Sequence, residues 1–233
     1  MMETRIPGDP TRFQRMTSAE ARESYLLESL FAPGEARFFY VETDRAVVGS
    51  IVPTNGGLSL PAAKELASGF FCERREAGVL NLGHPGAVAV DGRTYPMAPR
   101  DALYIGRGSK EIVFTSDKPG EPAQYYLVSY PAHAEYPTTH ARPGDAETVH
   151  LGAQATCNDR TIHKYIHAGG IKSCQLVMGI TLLAEGSVWN TMPCHTHARR
   201  SEIYLYFDLK DENVVMHLMG PPRETRHLIV RDR

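Results

Sequence analysis

The sequence predicts an all-β protein of the sandwich or barrel type, preceded by one short helix. Three observations carry this. Short runs rich in Val, Ile, Tyr and Phe recur along the chain, separated by Gly, Pro and Asp turns, and such close, regular spacing indicates a β-sandwich or barrel rather than a parallel α/β sheet. Only one stretch has convincing helical character. One progression of strand, turn and strand begins in both halves of the chain.

The helix is expected over residues 17–30, TSAEARESYLLESL. Thr17 or Ser18 caps its N-terminus, Glu20 lies in the first turn, and Pro33-Gly34 stops it. A weaker candidate, PAAKELAS from Pro61 to Ser68, is short and opened by proline. The β-like runs then follow in order: ARFFYVET, RAVVGSIVP, AGVLNLG, GAVAVDG, DALYIG, EIVFTS and AQYYLVSY, and later SCQLVMGITLLA, EIYLYFDL, VVMHLMG and RHLIV. YPMAPRDALYIG resembles the step at which a small jelly-roll barrel passes from one sheet to the other. The kernel common to the two halves is Arg74-Arg75-Glu76 against Arg199-Arg200-Ser201-Glu202, each followed by an apolar run. A stretch rich in Pro, Thr and His separates the halves and reads as a linker. The second half ends at Arg233, just after RHLIV, with fewer strands than the first, so its barrel is expected to be incomplete.

Bulk composition excludes several functions. Lys and Arg number 25 against 27 Asp and Glu, so no basic stripe points to nucleic acid and no acidic tail to disorder. No apolar run approaches the roughly 18 residues that span a bilayer. The opening residues, MMETRIPGDPTRFQRM, lack the apolar core of a secretory signal. Cys72, Cys157, Cys174 and Cys194 are scattered without C-x-x-C spacing, and in an unexported chain of this length free thiols are expected. The reading is a soluble, cytoplasmic, globular protein with no membrane or nucleic-acid partner.

One segment concentrates chemistry: NTMPCHTHARRSEIYLYFDL, Asn190 to Leu209. On a strand, side chains alternate between faces, so His195 and His197 point the same way with Thr196 opposite. Glu202 follows after a short bend at Ala198-Arg199-Arg200. Two imidazoles and a carboxylate suit Zn²⁺ and other divalent first-row ions, and three protein ligands leave positions open for substrate. Ten histidines make a chance H-x-H unsurprising. The flanking Trp189, Met192, Tyr204 and Tyr206 instead suggest an enclosed cavity floor. Elsewhere, His84 sits in a turn, His133, His140 and His150 fall in the linker, and His163 and His167 lie four apart in TIHKYIHAGG. His217 can point inward on its strand and is the best internal candidate for another ligand.

ERREAGVLNLG, DALYIGRGSKEIVF, NDRTIHKY, SVWNTMPCHTHARRSEIYLYF and GPPRETRH occur in one order that resembles the 5-keto-4-deoxyuronate isomerases, or 4-deoxy-L-threo-5-hexosulose-uronate ketol-isomerases, from about residue 17 onward. The resemblance implies two cupin (jelly-roll β-barrel) domains, zinc in the second, a homohexamer, and a cytoplasmic role in breaking down pectin-derived uronates. It implies His195, His197 and Glu202 as metal ligands. A further histidine ligand of that family would lie beyond Arg233. The implied reaction converts 5-keto-4-deoxyuronate to 3-deoxy-D-glycero-2,5-hexodiulosonate through an enediolate, which needs a cation to stabilise charge and a base to carry a proton. Glu202 is a candidate for that base, though a ligand carboxylate is a weakened one; a metal-bound hydroxide and a residue beyond Arg233 are the alternatives. Arg160 and Lys164, then Arg199, are the candidates for the substrate carboxylate. The competing readings are another metal-dependent cupin enzyme, such as a dioxygenase or a different sugar isomerase, and a non-catalytic sugar-binding module. The expected organisation is a helical segment over 1–35, a metal-free first barrel over 36–135, a linker over 136–160, and a metal-binding second barrel, incomplete, over 161–233.

Overall fold

The computed structural model describes residues 2–232. Strand β1 (Glu3–Arg5) leads into two short helices, α1 (Pro10–Arg15) and α2 (Ser18–Tyr25). Asp9 caps α1 by accepting from the backbone N–H groups of Thr11 and Arg12. Thr17 and Glu20 form the capping box that opens α2: Glu20 N donates to Thr17 Oγ1 at 3.2 Å and Thr17 N to Glu20 Oε2 at 2.7 Å. The predicted helix is therefore real at its start, but it ends at Tyr25 rather than Leu30. Leu26 is already extended. Leu27, Leu30 and Phe31 pack on the underlying sheet, and this tertiary burial overrides local helical spacing. Residues 61–68 hold only a 3-10 turn, Lys64–Leu66.

The strands of the first half are β2 (Ala36–Val41), β3 (Ala46–Ile51), β4 (Leu58–Ser59), β5 (Arg75–Asn81), β6 (Gly86–Val90), β7 (Arg93–Met97), β8 (Ala102–Ile105), β9 (Ile112–Ser116) and β10 (Tyr125–Pro131). They are followed by β11 (Thr139–Ala141), β12 (Glu147–Leu151), β13 (Arg160–Ile166), β14 (Met178–Leu183), β15 (Val215–Met219) and β16 (Arg226–Val230). Seven strands form one sheet in the order β1-β2-β3-β10-β5-β8-β11, and four form a second in the order β4-β9-β6-β7. A three-stranded sheet, β12-β13-β14, and a two-stranded ribbon, β15-β16, make up the rest. The chain is thus mostly β, as its sequence predicts. The residues expected to be a linker are structured: β11 pairs with the edge of the seven-stranded sheet, and β12 pairs with β13.

The large sheet is covered on both faces, and the period of two in its strands sorts residues between two cores. Ala77 and Val79 of β5, Leu103 and Ile105 of β8, and Tyr125 and Leu127 of β10 face the four-stranded sheet and its Val88, Phe114 and Met97. Their neighbours Leu80, Tyr104, Tyr126 and Val128 face the other way, against Tyr165, Ile166, Met178 and Ile180 of the second half. A strand buried on both faces reads as a continuous apolar run, which is how these strands appear in the sequence. Gly78 lies at the seam: a Cβ there would meet Leu176 Cδ2 at 2.7 Å and Met178 Sδ at 3.0 Å. Beside it, the fully buried Glu76 accepts from Tyr104 Oη at 2.8 Å and from the backbone N–H groups of Cys174, Gln175 and Leu176 at 2.7, 2.7 and 2.9 Å. Four donors satisfy the buried carboxylate and moor the second half to the first.

Candidate functional site

The segment expected to be a metal-bearing strand is not in a sheet. Residues 190–209 have no ladder partner among the described residues, and this corrects the expectation of two strands at CHTH and EIYLYFDL. Backbone alternation nevertheless survives. Ile203, Leu205 and Phe207 pack onto the second core, which turns Glu202, Tyr204 and Tyr206 to the opposite side. Ser201 N donates to Asp44 Oδ2 at 3.3 Å, and Arg100 pairs with Asp208 at 3.0 Å, so the segment is anchored to the first half at both ends.

On that outer side the three residues picked from the sequence come together. The rings of His195 and His197 lie 5.0 Å apart, edge to face. His197 Nε2 is 3.3 Å from Glu202 Oε1. Arg200 lies between them, its Nη2 at 3.0 Å from His197 Nε2 and 2.9 Å from Glu202 Oε1. Tyr204 Oη donates to Glu202 Oε2 at 3.2 Å. The expected enclosure is absent among the described residues: the His197 and Glu202 side chains are about one-third exposed, at 30% and 32%, and Met192 and Tyr204 are exposed. No described sheet covers this face.

The hydrogen bonds decide which ring nitrogens carry lone pairs. A carbonyl only accepts, so the 3.1 Å contact between His195 Nδ1 and Pro193 O puts the proton on Nδ1 and leaves Nε2 of the neutral ring free to ligate. A guanidinium only donates, so its 3.0 Å contact makes His197 Nε2 an acceptor as well. Two acceptors 3.3 Å apart, His197 Nε2 and Glu202 Oε1, are held together by the positive charge of Arg200 between them. As the side chains stand, no three His, Cys, Asp or Glu side chains among the described residues are gathered around one point closely enough to hold an ion. The donor chemistry nonetheless fits a divalent cation. Two imidazole nitrogens and one carboxylate oxygen are presented with the correct tautomers, and a cationic group already occupies the position between two of them.

The remaining candidates separate. Arg160 on β13 is buried, donating to Asn158 O at 2.9 Å and reaching Thr191 Oγ1 at 3.4 Å, while its Nε has no hydrogen-bond partner. It touches the start of the histidine segment. Lys164, four residues on, is committed to Glu147 at 2.8 Å. It lines a cleft of about 750 Å³ with His140, His167 and Tyr165, which no residue of 190–206 lines. Arg199 is exposed in the bend before Arg200.

Sequence reasoning singles out Tyr206 and His217 but misses Arg200 and the contact between the other two. Arg200 stands two residues before Glu202, so strand parity alone puts it on the carboxylate's side. Tyr206 and His217 form a pair: Tyr206 Oη is 2.8 Å from His217 Nδ1, and the His217 ring lies 5.2 Å from Tyr204 and 5.9 Å from Tyr206. Burial lowers the His217 pKa below its ordinary 6.5, against the opposing pull of the Glu202 charge. Burial, then the nearby Tyr204, pushes the Tyr206 hydroxyl up to about 12.

Residues 26–227 match the KduI/IolB family. The chain is 46% identical over 231 residues to the 4-deoxy-L-threo-5-hexosulose-uronate ketol-isomerase of Caldicellulosiruptor bescii, spanning 99% of this chain and 84% of that protein. It is 50% identical over 234 residues to the protein of the same name from Kineococcus radiotolerans, with 99% and 84% covered. Among solved structures, an IolB-like protein of Salmonella typhimurium superposes on 51% of this chain and 43% of its own, with a TM-score of 0.40 and 16% identity.

Proposed function

Because the chain belongs to the KduI/IolB family, we propose that it is an aldose–ketose isomerase. Its substrate is 4-deoxy-L-threo-5-hexosulose uronate and its product 3-deoxy-D-glycero-2,5-hexodiulosonate. Two relatives at 46% and 50% identity, named as ketol-isomerases of that uronate, support the substrate class. The observation that carries the site is the meeting of His197 Nε2 and Glu202 Oε1 on the Arg200 cation, with His195 beside them.

His195, His197 and Glu202 are the residues that would hold one divalent ion per chain, zinc by resemblance. Bound there, it supplies Lewis acidity toward the oxygen on which charge develops. The side chains supply the rest. Arg160, with a planar fork and an unpartnered Nε, is the favoured anchor for the substrate carboxylate. Arg199 is the alternative, and Lys164 would first have to leave Glu147. Tyr204 and Tyr206 present hydroxyls on the same side as Glu202, positioned to orient sugar hydroxyl groups. Glu202 as a ligand is poorly suited to be the base, since Arg200 and Tyr204 already draw on its lone pairs. A role in the breakdown of pectin-derived uronates, in the cytoplasm and as a homohexamer, belongs to the same reading. No helix among the described residues is long and apolar enough to cross a membrane.

The test is to supply purified, metal-loaded protein with the 5-keto uronate released by a uronate lyase and to follow ketose formation and dissolved oxygen together. Ketose formed without oxygen uptake is the expected result. Oxygen consumption would move the chain to the dioxygenases, and neither change would remove the isomerase reading.

A further inference from the structure

The isomerase reading, on which this inference rests, leaves the carbon-bound proton without a carrier. The three donors assigned to the cation are poor choices, because a lone pair given to a cation is no longer basic. His217 is joined to Glu202 through Tyr204, and among the described residues it makes no ion pair. Its ring packs against Tyr204 and Tyr206, and Tyr204 in turn donates to Glu202, so Glu202, Tyr204, His217 and Tyr206 form one continuous wall. Other histidines are occupied differently. His140 is held by the buried Asp101 at 2.8 Å, His167 faces Glu147 at 3.5 Å, and His150 and His163 bond to Thr161 and Thr148 across β12 and β13.

We propose that His217, its ring held by Tyr206, is the base that carries the proton between the two carbons of the aldose–ketose shift. Tyr206 Oη lies 2.8 Å from Nδ1 and can donate or accept; in the tautomer whose Nδ1–H donates to it, the lone pair that acts as base sits on Nε2. A neutral imidazole in a partly buried place, packed against the rings of Tyr204 and Tyr206, can offer that lone pair to a carbon-bound proton. The step balances without a co-reactant. Nε2 takes hydrogen as a proton from the hydroxyl-bearing carbon, the C–H electron pair becomes the enediolate double bond, and the aldehyde π pair moves onto its oxygen. The imidazolium then returns the proton to the former aldehyde carbon, where the double-bond pair forms the new C–H bond. The hydroxyl proton passes between the two oxygens, and the ketose results.

The experiment uses the full-length, metal-loaded protein, with wild-type turnover of the 5-keto uronate established first. His217→Asn is expected to lower kcat about 100-fold or more, with KM and bound metal within about twofold of wild type. Wild-type turnover in D₂O should place deuterium on the new hydroxymethyl carbon, and the variant should lose this exchange in step with isomerisation. Added imidazole should restore part of both. Tyr206→Phe, which removes the hydrogen-bond partner of Nδ1 without removing the imidazole, is expected to cost roughly tenfold in kcat, and it serves as the test should His217→Asn fail to fold. A His217→Asn protein with kcat within about threefold of wild type, or one whose lost activity tracks lost metal, overturns the assignment, as does a Tyr206→Phe kcat equal to wild type. An inactive wild type refutes the isomerase reading itself and is recognised before any variant is compared.

Discussion

The two Arg–Glu kernels of this chain have nearly the same composition and opposite surroundings. Arg75 and Glu76 lie on β5 in the middle of the seven-stranded sheet, where Glu76 has no exposed surface and every lone pair it uses is met by a hydroxyl or a backbone N–H group. Arg75 does not pair with it; Arg75 donates to Ser129 and to the Arg45 carbonyl instead. Arg200 and Glu202 lie on a segment without sheet partners among the described residues, about one-third exposed and bonded to each other. A sealed carboxylate surrounded by fixed dipoles is a structural clamp. A half-open one, shared between a partly exposed guanidinium, a tyrosine hydroxyl and the His197 imidazole, can exchange partners. Burial, more than residue identity, separates the two roles.

This contrast can be broken first at the clamp. Glu76→Ala strands three backbone N–H groups and the Tyr104 hydroxyl in a dry seam, and should cost about 3–5 kcal/mol of unfolding free energy, read from urea melts. Glu202→Ala, at a partly exposed site, should cost under about 1 kcal/mol in the metal-free protein. Equal losses would erase the distinction. Gly78→Ala probes the same seam by crowding Leu176 and Met178 and should cost about 1–3 kcal/mol. Because it distorts the contact between the halves, it should also loosen the 173–176 loop in amide exchange, while the four-stranded sheet stays protected.

The smallest effect is the most particular. Arg200 competes with any metal for His197 and Glu202, and an exposed ion pair of this kind is worth at most about 1 kcal/mol. Arg200→Ala should therefore raise the zinc affinity of the metal-free protein by up to roughly fivefold, measured by competition with a chromophoric chelator. Weakened affinity would mean that Arg200 helps to build the site rather than to occupy it.

The β-runs were legible because strands buried on one or both faces must be written in Val, Ile, Tyr and Phe; ARFFYVET, RAVVGSIVP, AQYYLVSY and RHLIV all lie where strands form. TIHKYI was not read as a strand, since histidines four apart beside glycines obscure the alternation that β13 obeys. EIYLYFDL erred in the other direction. Its alternation is genuine and sorts its side chains between core and site, yet a ladder needs a neighbouring backbone, and no local pattern supplies one. The linker was misjudged for a similar reason: short strands such as β11 and β12 exist only through their partners β8 and β13. At the site, spacing singled out His195, His197 and Glu202, which the structure places in pairs, His195 beside His197 and His197 beside Glu202, rather than around one point. It could not reveal the tautomers, which depend on Pro193 O and Arg200, or the approach of His217 from a separate strand.

The most direct test is metal stoichiometry by elemental mass spectrometry on purified wild type and on the His195→Ala/His197→Ala variant, with circular dichroism confirming that both are folded. One equivalent of divalent metal per wild-type chain, falling to background in the folded variant along with turnover, is the predicted result. Undiminished metal in the variant would contradict the claim that these two imidazoles hold the ion.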